Sequence, residues 1–161
     1  MQRVALLLVP QLLLGMIFGP YAITQTTNKA KISLCSLLTA ADAQRITHVP
    51  MMKVHGNDEE CVYSPTSYGG VPIDMVGLMI QRGTWASEKQ GVVGAAPLLK
   101  ASLENVPGIG DEAVLSYSKE AGGTTMLLFH KGTIVLQLTA GMLNRQMDSL
   151  KDVAKKIAGQ I

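Results

Sequence analysis

The fold of this chain is decided by the stretch TTMLLFHKGTIVLQLT, residues 124–139. Two runs rich in β-branched and large apolar residues, Thr124–His130 and Thr133–Thr139, are joined by Lys131-Gly132. Glycine can supply the positive φ that a tight hairpin turn demands. The stretch therefore predicts an antiparallel β-hairpin, and with it a sheet to which the hairpin belongs.

Further strands and helices are predicted on both sides of the hairpin. Apolar patterning and flanking turn residues indicate strands at Cys61–Tyr63, Val71–Gln81 and Glu112–Ser118. Loops or turns are predicted at Val54–Glu60, Tyr68–Gly70, Asn105–Gly110 and Glu120–Gly123. Helices are predicted from Thr39 to about Ile46 or Thr47, over Thr84–Ser102 and over Asn144–Ala158. This order favours an α+β fold, with an antiparallel sheet of about five strands and N-terminal, middle and C-terminal helices packed on one face.

The first and last helices carry the clearest helix signals. Thr39 is a good N-cap, and Asp42 three residues later completes a capping box. Val49-Pro50 ends the first helix, because the residue before proline avoids the helical region. Apolar residues repeat at three- and four-residue steps through Asn144–Ala158. The middle helix contains two glycines and Pro97, so it is predicted to be interrupted.

The first two dozen residues have the order of a secretory signal. Arg3 precedes the apolar run Val4–Phe18, and Gly19-Pro20 then breaks the helix. Cleavage is expected after Ala22 or after Thr24. The predicted organisation is therefore a signal peptide at 1–22, a flexible polar segment at 23–34 and a single exported α+β domain at 35–161. The mature protein is expected to be periplasmic or extracellular.

Two other interpretations of this leader stay open. A retained membrane anchor needs roughly 20 apolar residues, and this run has about 15 with a proline inside it. In that case the protein would contact the membrane only through the leader. Lipoprotein processing is the other, because Ile32-Ser33-Leu34-Cys35 superficially resembles a lipobox. Leu34 is large for the position before the cysteine, which weighs against lipidation.

Cys35 and Cys61 are the two cysteines of the chain. In an exported protein an even cysteine count favours a disulfide. Its loop of about 27 residues would contribute roughly 3 kcal/mol of stability in the chain-entropy model. A zinc site with His48 and His55 is the competing interpretation, but the spacing of the four residues matches no compact zinc module. We therefore predict the disulfide and no metal.

Charge and composition exclude some partners. The chain has 14 basic and 12 acidic residues, and no predicted strand or helix gathers the basic ones. Nucleic acid is therefore not an expected partner. Aromatic residues make up only 4% of the chain, too few for stacking platforms. No cofactor is predicted.

The segment Pro107–Ala113 contains the motif PGIGDEA. Gly108, Gly110, Asp111 and Glu112 form a candidate binding loop, since two glycines and two carboxylates could bind an ion. It is not a phosphate loop, because no lysine and no helix follow Gly110. The alternative is a tight turn before a strand, in which the glycines take special backbone angles and Asp111 caps the turn.

No catalytic constellation is visible. The serines lie in no G-x-S-x-G motif. A cysteine could act with His48 or His55, but the predicted disulfide competes with that role. We predict that the protein is not an enzyme; a hydrolase using His48, His55 or Asp111 is the least favoured function.

Three segments in this order resemble a known group of proteins: CSLLT at 35–39, CVY at 61–63 and VPGIGDEA at 106–113. Together they look like small exported bacterial proteins and lipoproteins of unknown function, abundant in actinobacteria. Those are similar in turn to extracellular sensor domains of mycobacterial receptor kinases. The resemblance covers about Cys35 to Ile161, and it implies an α+β sandwich, a disulfide between the helix start and the first strand, and no catalytic residues. The chain departs from the lipoprotein members in lacking a usable lipobox.

The expected function is therefore that of an exported, non-enzymatic binding domain. Its ligand would be a small apolar molecule or another envelope protein, bound on the second side of the sheet or in a cleft between helix and sheet. The alternative is an inhibitor or accessory subunit of an envelope enzyme. In that case a loop such as Ser64–Gly70 or Asn105–Glu112 would enter the partner's active site.

Overall fold

A computed structural model describes residues 32–65, 75–118, 123–141 and 147–161. The predicted signal peptide, the turn at Tyr68–Gly70, the start of the predicted strand Val71–Gln81, most of the turn at Glu120–Gly123 and the first residues of the predicted last helix lie outside these ranges. Within them, none of the helices has the length and apolar character needed to cross a membrane.

The fold is α+β with one antiparallel sheet. The helices are α1 (Leu34–Leu37), α2 (Ala40–Thr47), α3 (Trp85–Ala95) and α4 (Met147–Ala158). The strands are β1 (Met51–Gly56), β2 (Glu60–Pro65), β3 (Val76–Gln81), β4 (Ala101–Asn105), β5 (Glu112–Ser118), β6 (Thr124–Lys131) and β7 (Ile134–Gly141). They form a seven-stranded sheet in the order β1-β2-β3-β7-β6-β5-β4. The fold class and the antiparallel pairing are confirmed, but the prediction of about five strands is wrong.

The two strands that the sequence analysis missed, β1 and β4, are the edges of the sheet. In β1 every residue after Met51 is exposed, so no alternation of buried and exposed residues marks it. The prediction of a loop over Val54–Glu60 is therefore wrong at both ends. Residues 54–56 belong to β1 and Glu60 begins β2, so only residues 57–59 connect the two strands. β4 is likewise exposed or half-buried throughout. An edge strand has a partner on one side only, so its sequence need not show a buried face.

The predicted hairpin is confirmed as β6 and β7. Lys131 pairs with Ile134, so the two loop residues are Gly132 and Thr133, one position later than predicted. Gly132 has φ +57°, the positive value for which glycine is suited. Both strands lie inside the sheet, and Leu127, Phe129 and their neighbours are accordingly buried.

The predicted capping box of the first long helix is also confirmed. The Thr39 hydroxyl accepts from the backbone N–H of Asp42 at 3.2 Å, and the Asp42 carboxylate accepts from that of Thr39 at 2.9 Å. The Asp42 carboxylate also lies 2.6 Å from Lys156 Nζ, which joins α2 to α4. The helix ends at Thr47, and the residue that follows it, His48, has φ 59°.

The main core lies on the sheet face that carries α1, α2 and α4; we call it the first face. Buried side chains of α4 pack there with α2 and with large residues of the inner strands, among them Leu115, Leu127, Phe129, Leu136 and Leu138. Ile32 and Leu34, the last part of the segment predicted to be polar and flexible, also pack against this core. The buried Tyr63 hydroxyl donates to the Leu38 carbonyl at 3.0 Å.

The disulfide between Cys35 and Cys61 is present, with a Cα–Cα distance of 5.2 Å. It joins α1 to β2. Gly56 lies directly beside it, since a Cβ on Gly56 would be 2.5 Å from Cys35 Sγ. A cysteine held in a disulfide has no free thiol to receive a lipid, so this pairing does not fit the lipobox interpretation.

The middle helix differs from its prediction in extent and position. Helix α3 runs without interruption through Gly91 and Gly94 and ends at Ala95. The predicted end at Ser102 is wrong, because Ala101–Asn105 is strand β4. Neither glycine has another atom within 4 Å of its added Cβ position, so both are tolerated on an open surface. The prediction that all helices pack on one face is also wrong, as the contacts of α3 show.

Candidate functional site

Strand register assigns each sheet residue to one of two faces. Glu112 pairs with His130 and Val114 pairs with Leu128 across β5 and β6. Because neighbouring side chains on a strand point to opposite faces, these residues lie on the face opposite Phe129. We call this the second face.

Helix α3 is attached to the second face through its first turns. The Trp85 ring stacks on His130 with ring centroids 4.6 Å apart. The Trp85 indole Nε1 donates to Glu112 at 2.6 Å, and Lys89 forms an ion pair with the same carboxylate. Lys89 first and then Trp85 hold the pKa of Glu112 below its ordinary value. A carboxylate that stays ionised is thus the main polar contact between α3 and the sheet.

A small second core lies under the end of α3, apart from the main core. Val114, Leu128 and Val135 on the sheet are at most 2% exposed, and Ala96 just after α3 is 5% exposed. The apolar character of the strands on both faces predicted that something covers the second face. Over this part of the sheet, the cover is α3.

Beyond the end of α3 the second face opens into a groove of about 420 Å³. Its floor is formed by side chains of three inner strands, which include Ser116, Met126, Gln137 and Thr139. Met126 pairs across the sheet with both Ser116 and Thr139, so these side chains form one continuous floor. Leu99 and Ala101 form a wall. The volume lies within the range of about 300–1,000 Å³ that is typical of small-molecule sites.

The groove combines apolar surface with uncharged polar groups. The Thr139 hydroxyl donates to the Gly77 carbonyl at 3.3 Å, and Gln81 Nε2 donates to Gln137 Oε1 at 3.1 Å. Among the described residues that line it, none carries a charge. Since an ionic ligand entering such a site would lose hydration without gaining a partner, the groove favours a neutral ligand.

Exposed leucines surround the groove. Leu98 is 86% exposed, Leu99 is 66% exposed and Leu103 on β4 is 40% exposed. The turn that presents the first two is closed by backbone hydrogen bonds, from Leu99 N to Ala95 O at 3.0 Å and from Ala101 N to Ala96 O at 2.9 Å. Clustered exposed apolar side chains are typical of binding sites rather than of ordinary surface.

The candidate binding loop of the sequence analysis lies elsewhere, against the β6–β7 turn. Gly108 and Gly110 have positive φ values of 78° and 60°. A Cβ on Gly110 would overlap the carbonyl oxygen of His130. Asp111 donates its N–H to that same oxygen at 2.8 Å and accepts from Gly132 N at 2.7 Å. The loop thus fastens the hairpin turn to the start of β5.

Both carboxylates of this loop already have partners. The Gly132 N–H first, and the neighbouring Lys131 as well, hold the pKa of Asp111 below its ordinary value. The Glu112 carboxylate accepts a hydrogen bond from Trp85 and forms an ion pair with Lys89. The loop lines a separate cavity of about 290 Å³, and the described residues that line this cavity all differ from those that line the groove. That it binds a ligand stays a prediction; its turn-capping contacts are observed.

The histidines between the cysteines do not assemble a metal site. His48 lies at the end of α2, and His55 Nε2 lies 3.2 Å from Asn57 Nδ2 and 3.8 Å from Glu60. The two cysteine sulfurs are bonded to each other. Across the described ranges, no group of three or more histidine, cysteine or acidic residues is placed to hold a metal ion.

The groove residues were missed by the sequence analysis, although one signal was present. Gln137 interrupts the apolar run of β7, and Thr139 follows it two residues later. This spacing puts both polar side chains on one face of the strand. These two polar residues belong to a groove only because Leu99 and Ala101 form its wall, and the sequence analysis had placed Leu99 and Ala101 in the predicted helix Thr84–Ser102.

No family model, no curated protein and no solved structure matches this chain.

Proposed function

We propose that this protein is a non-enzymatic binding domain that takes a small, neutral, amphipathic molecule into the groove of the second face. The observation that carries the proposal is the uncharged groove of about 420 Å³ beside Leu98 and Leu99. Its mainly apolar wall and the hydroxyl and amide groups of its floor match the usual composition of ligand pockets.

The groove residues suit a ligand that has two different parts. An apolar part would contact Leu99, Ala101 and Met126. A hydrogen-bonding part would lie over Gln137 and Thr139 on the floor. The ligand class is therefore a compact molecule with one hydrogen-bonding end and no net charge.

Binding without catalysis is favoured by the side chains at the groove. General acid–base or nucleophilic catalysis needs a titratable group or an activated nucleophile in reach of the substrate. The described lining offers serine and threonine hydroxyls and one amide, with no histidine, cysteine or carboxylate among them. The imidazole of His130, which lies on this face, is stacked on Trp85.

An exported location supports this function and is part of the proposal. The disulfide is typical of proteins from oxidising compartments. The apolar leader sequence and the resemblance to small exported actinobacterial proteins point the same way. The ligand would then be an envelope or extracellular molecule.

The proposal is tested with the neutral apolar dye Nile red, whose emission rises in apolar surroundings. We expect the wild-type protein to bind it, and Ala101→Trp, which fills the groove from its wall, to weaken binding at least tenfold. Met52→Trp is the control, because Met52 is exposed but lies on β1, at the opposite edge of the sheet. Absence of binding by the wild-type protein, or equal weakening by both variants, would overturn the proposal.

The exposed strand β1 favours a second candidate function, that of an accessory subunit or inhibitor of an envelope protein. Met52 and Val54 are about half exposed on this edge strand. Unpaired strand edges bind extended segments of partner proteins. A complex recovered from envelope extract with the wild-type protein, and lost with Val54→Lys, would favour this function over ligand binding.

A further inference from the structure

Two glutamines lie next to each other on the second face, one in the groove floor and one beside it. Gln137 on β7 lines the groove, whereas Gln81 on β3 is not among the described residues that line it. Met79 pairs with Gln137, and Gln81 pairs with Val135, so the two glutamines are diagonal neighbours on adjacent strands. Gln81 Nε2 donates to Gln137 Oε1 at 3.1 Å. This bond holds the Gln137 amide in one orientation.

The orientation of the Gln137 amide decides which of its polar atoms faces the groove. Strand β7 lies between β3 and β6 in the sheet. The described groove residues on strands belong to β4, β5, β6 and β7, and none of them to β3. The oxygen and nitrogen of an amide lie on opposite sides of its carbon. With Oε1 bound on the β3 side, Nε2 and its two N–H donors are therefore left on the groove side.

This nitrogen is the unpaired donor of the groove floor. Within the described part of the chain, Gln137 Nε2 donates to no other group. The hydroxyl of Thr139, two residues later, already donates to the Gly77 carbonyl at 3.3 Å. Covering a donor without giving it a partner costs more than covering an oxygen that already takes part in a hydrogen bond. A ligand that fills the groove therefore gains most by bringing an acceptor to Gln137.

We propose that Gln81, through its bond to Gln137, makes the groove selective for ligands whose polar end is a hydrogen-bond acceptor such as a carbonyl oxygen. This inference rests on the proposed function, because it names the ligand class of the same groove. The class is that of neutral ketones, esters and amides, with the oxygen over Gln137 Nε2 and the apolar part against Leu99 and Met126. Gln81 is a positioning residue, since it acts on the ligand only through Gln137.

Fluorenone and carbazole form a matched pair of probes for this selectivity. Both are flat, neutral, tricyclic molecules of similar size, but fluorenone carries a carbonyl acceptor where carbazole carries an N–H donor. Their displacement of Nile red from the full mature chain gives two affinities that are compared as a ratio. We expect the wild-type protein to bind fluorenone about tenfold more tightly, because carbazole would leave the Gln137 donors covered and unpaired.

Two substitutions of Gln81 test its positioning role. Gln81→Glu replaces the donor by a carboxylate, which can only accept; it should bind Gln137 Nε2 instead, turn Oε1 to the groove and invert the preference toward carbazole. Gln81→Met should bring the ratio to about one, because the Gln137 amide can then turn either way. Met79→Leu is the matched control: Met79 lies on the same strand and face as Gln81 but has no amide, so this variant should keep the wild-type ratio. A merely structural role of Gln81 would lower both affinities together and leave their ratio unchanged.

The results separate this inference from the proposed function. If Nile red binds and Ala101→Trp weakens its binding, but fluorenone and carbazole displace it equally or carbazole is preferred, the inference is wrong and the proposed function stands. A preference for fluorenone that persists in both Gln81→Glu and Gln81→Met would also overturn the inference. Absence of Nile red binding by the wild-type protein would overturn both. Circular dichroism confirms that each variant is folded.

Discussion

The indole Nε1 of Trp85 donates to the carboxylate of Glu112 at 2.6 Å, and this bond joins α3 to the first residue of β5. Helix α3 buries none of its own residues. The position of the helix therefore depends on a few contacts at its first turns rather than on a packed stripe. A substitution of Glu112 should therefore loosen α3, the helix that covers part of the second face.

We expect Glu112→Gln to loosen α3 while leaving the main core intact. The variant loses the ion pair with Lys89 but keeps an acceptor for Trp85. Amide hydrogen exchange should accelerate through residues 85–95, and the Trp85 emission should shift to the red. Glu104→Gln is the control, because it breaks an exposed ion pair with Lys151 at 2.7 Å on the first face. Equal exchange rates for α3 in Glu112→Gln and the wild-type protein would contradict this prediction.

Asp42→Asn should lower the free energy of unfolding by about 1 kcal/mol at pH 7, the usual effect of losing a helix cap. Burial opposes ionisation of Asp42, but the bonds from Lys156 and Thr39 outweigh it and hold its pKa below the ordinary value. A lowered pKa contributes stability above the ordinary value of about 3.9, and that stability is lost as pH falls through the folded pKa.

The difference between Asp42→Asn and the wild-type protein should therefore shrink as the pH falls below about 3.9. Urea unfolding at neutral and at acid pH measures it. Asp152→Asn is a suitable control, since the carboxylate of Asp152 pairs with Arg45 at 2.7 Å and both side chains are 58% exposed. A difference that stays constant across this pH range would show that Asp42 acts without its charge.

Removal of the disulfide should destabilise the domain by roughly 3 kcal/mol, because the open chain gains the freedom of a loop of about 27 residues. Urea unfolding of the protein with and without a reductant measures the effect. The double variant Cys35→Ala and Cys61→Ala should show the lower stability from the start and no response to reductant. An unchanged midpoint after complete reduction of the wild-type protein would contradict the prediction.

Gly110→Ala should destabilise the protein more than Gly108→Ala. Both positions have positive φ, which costs an alanine about 1–2 kcal/mol. At Gly110 the new Cβ would also overlap the His130 carbonyl, whereas at Gly108 it would meet open space. Thermal unfolding of the two variants compares them directly. Equal losses would mean that the loop can move away from the hairpin at little cost.

The parts of the fold that the sequence predicted are those decided by neighbouring residues. The capping box of Thr39 and Asp42 is a contact across three positions, and the hairpin around Gly132 needs only its own two strands. The strand Glu112–Ser118 was likewise indicated by its apolar residues and the turn residues beside it, and its bounds are confirmed. Local chemistry was sufficient in each case.

The parts that could not be predicted depend on residues far apart in the chain. Strand β4 is recognised only through its pairing, as in Ala101 with Ser118. The side of the sheet on which α3 lies is decided by Trp85 and Glu112, 27 positions apart. The groove needs both of these together, because its wall comes from β4 and its opening from the end of α3. The loop at Gly108 was found from its composition; the structure shows its turns, and ligand binding by the loop stays a prediction.

The pairing of β3 with β7 has a consequence for how the chain assembles. Gly77 and Thr139 are 62 positions apart, and their strands form the seam between an N-terminal meander, β1–β3, and a C-terminal one, β4–β7. Long-range closures of this kind are slow compared with hairpins. Each meander can therefore form before the two meet. Both cysteines lie on the N-terminal side of the seam, so oxidation to the cystine does not have to wait for the last strand.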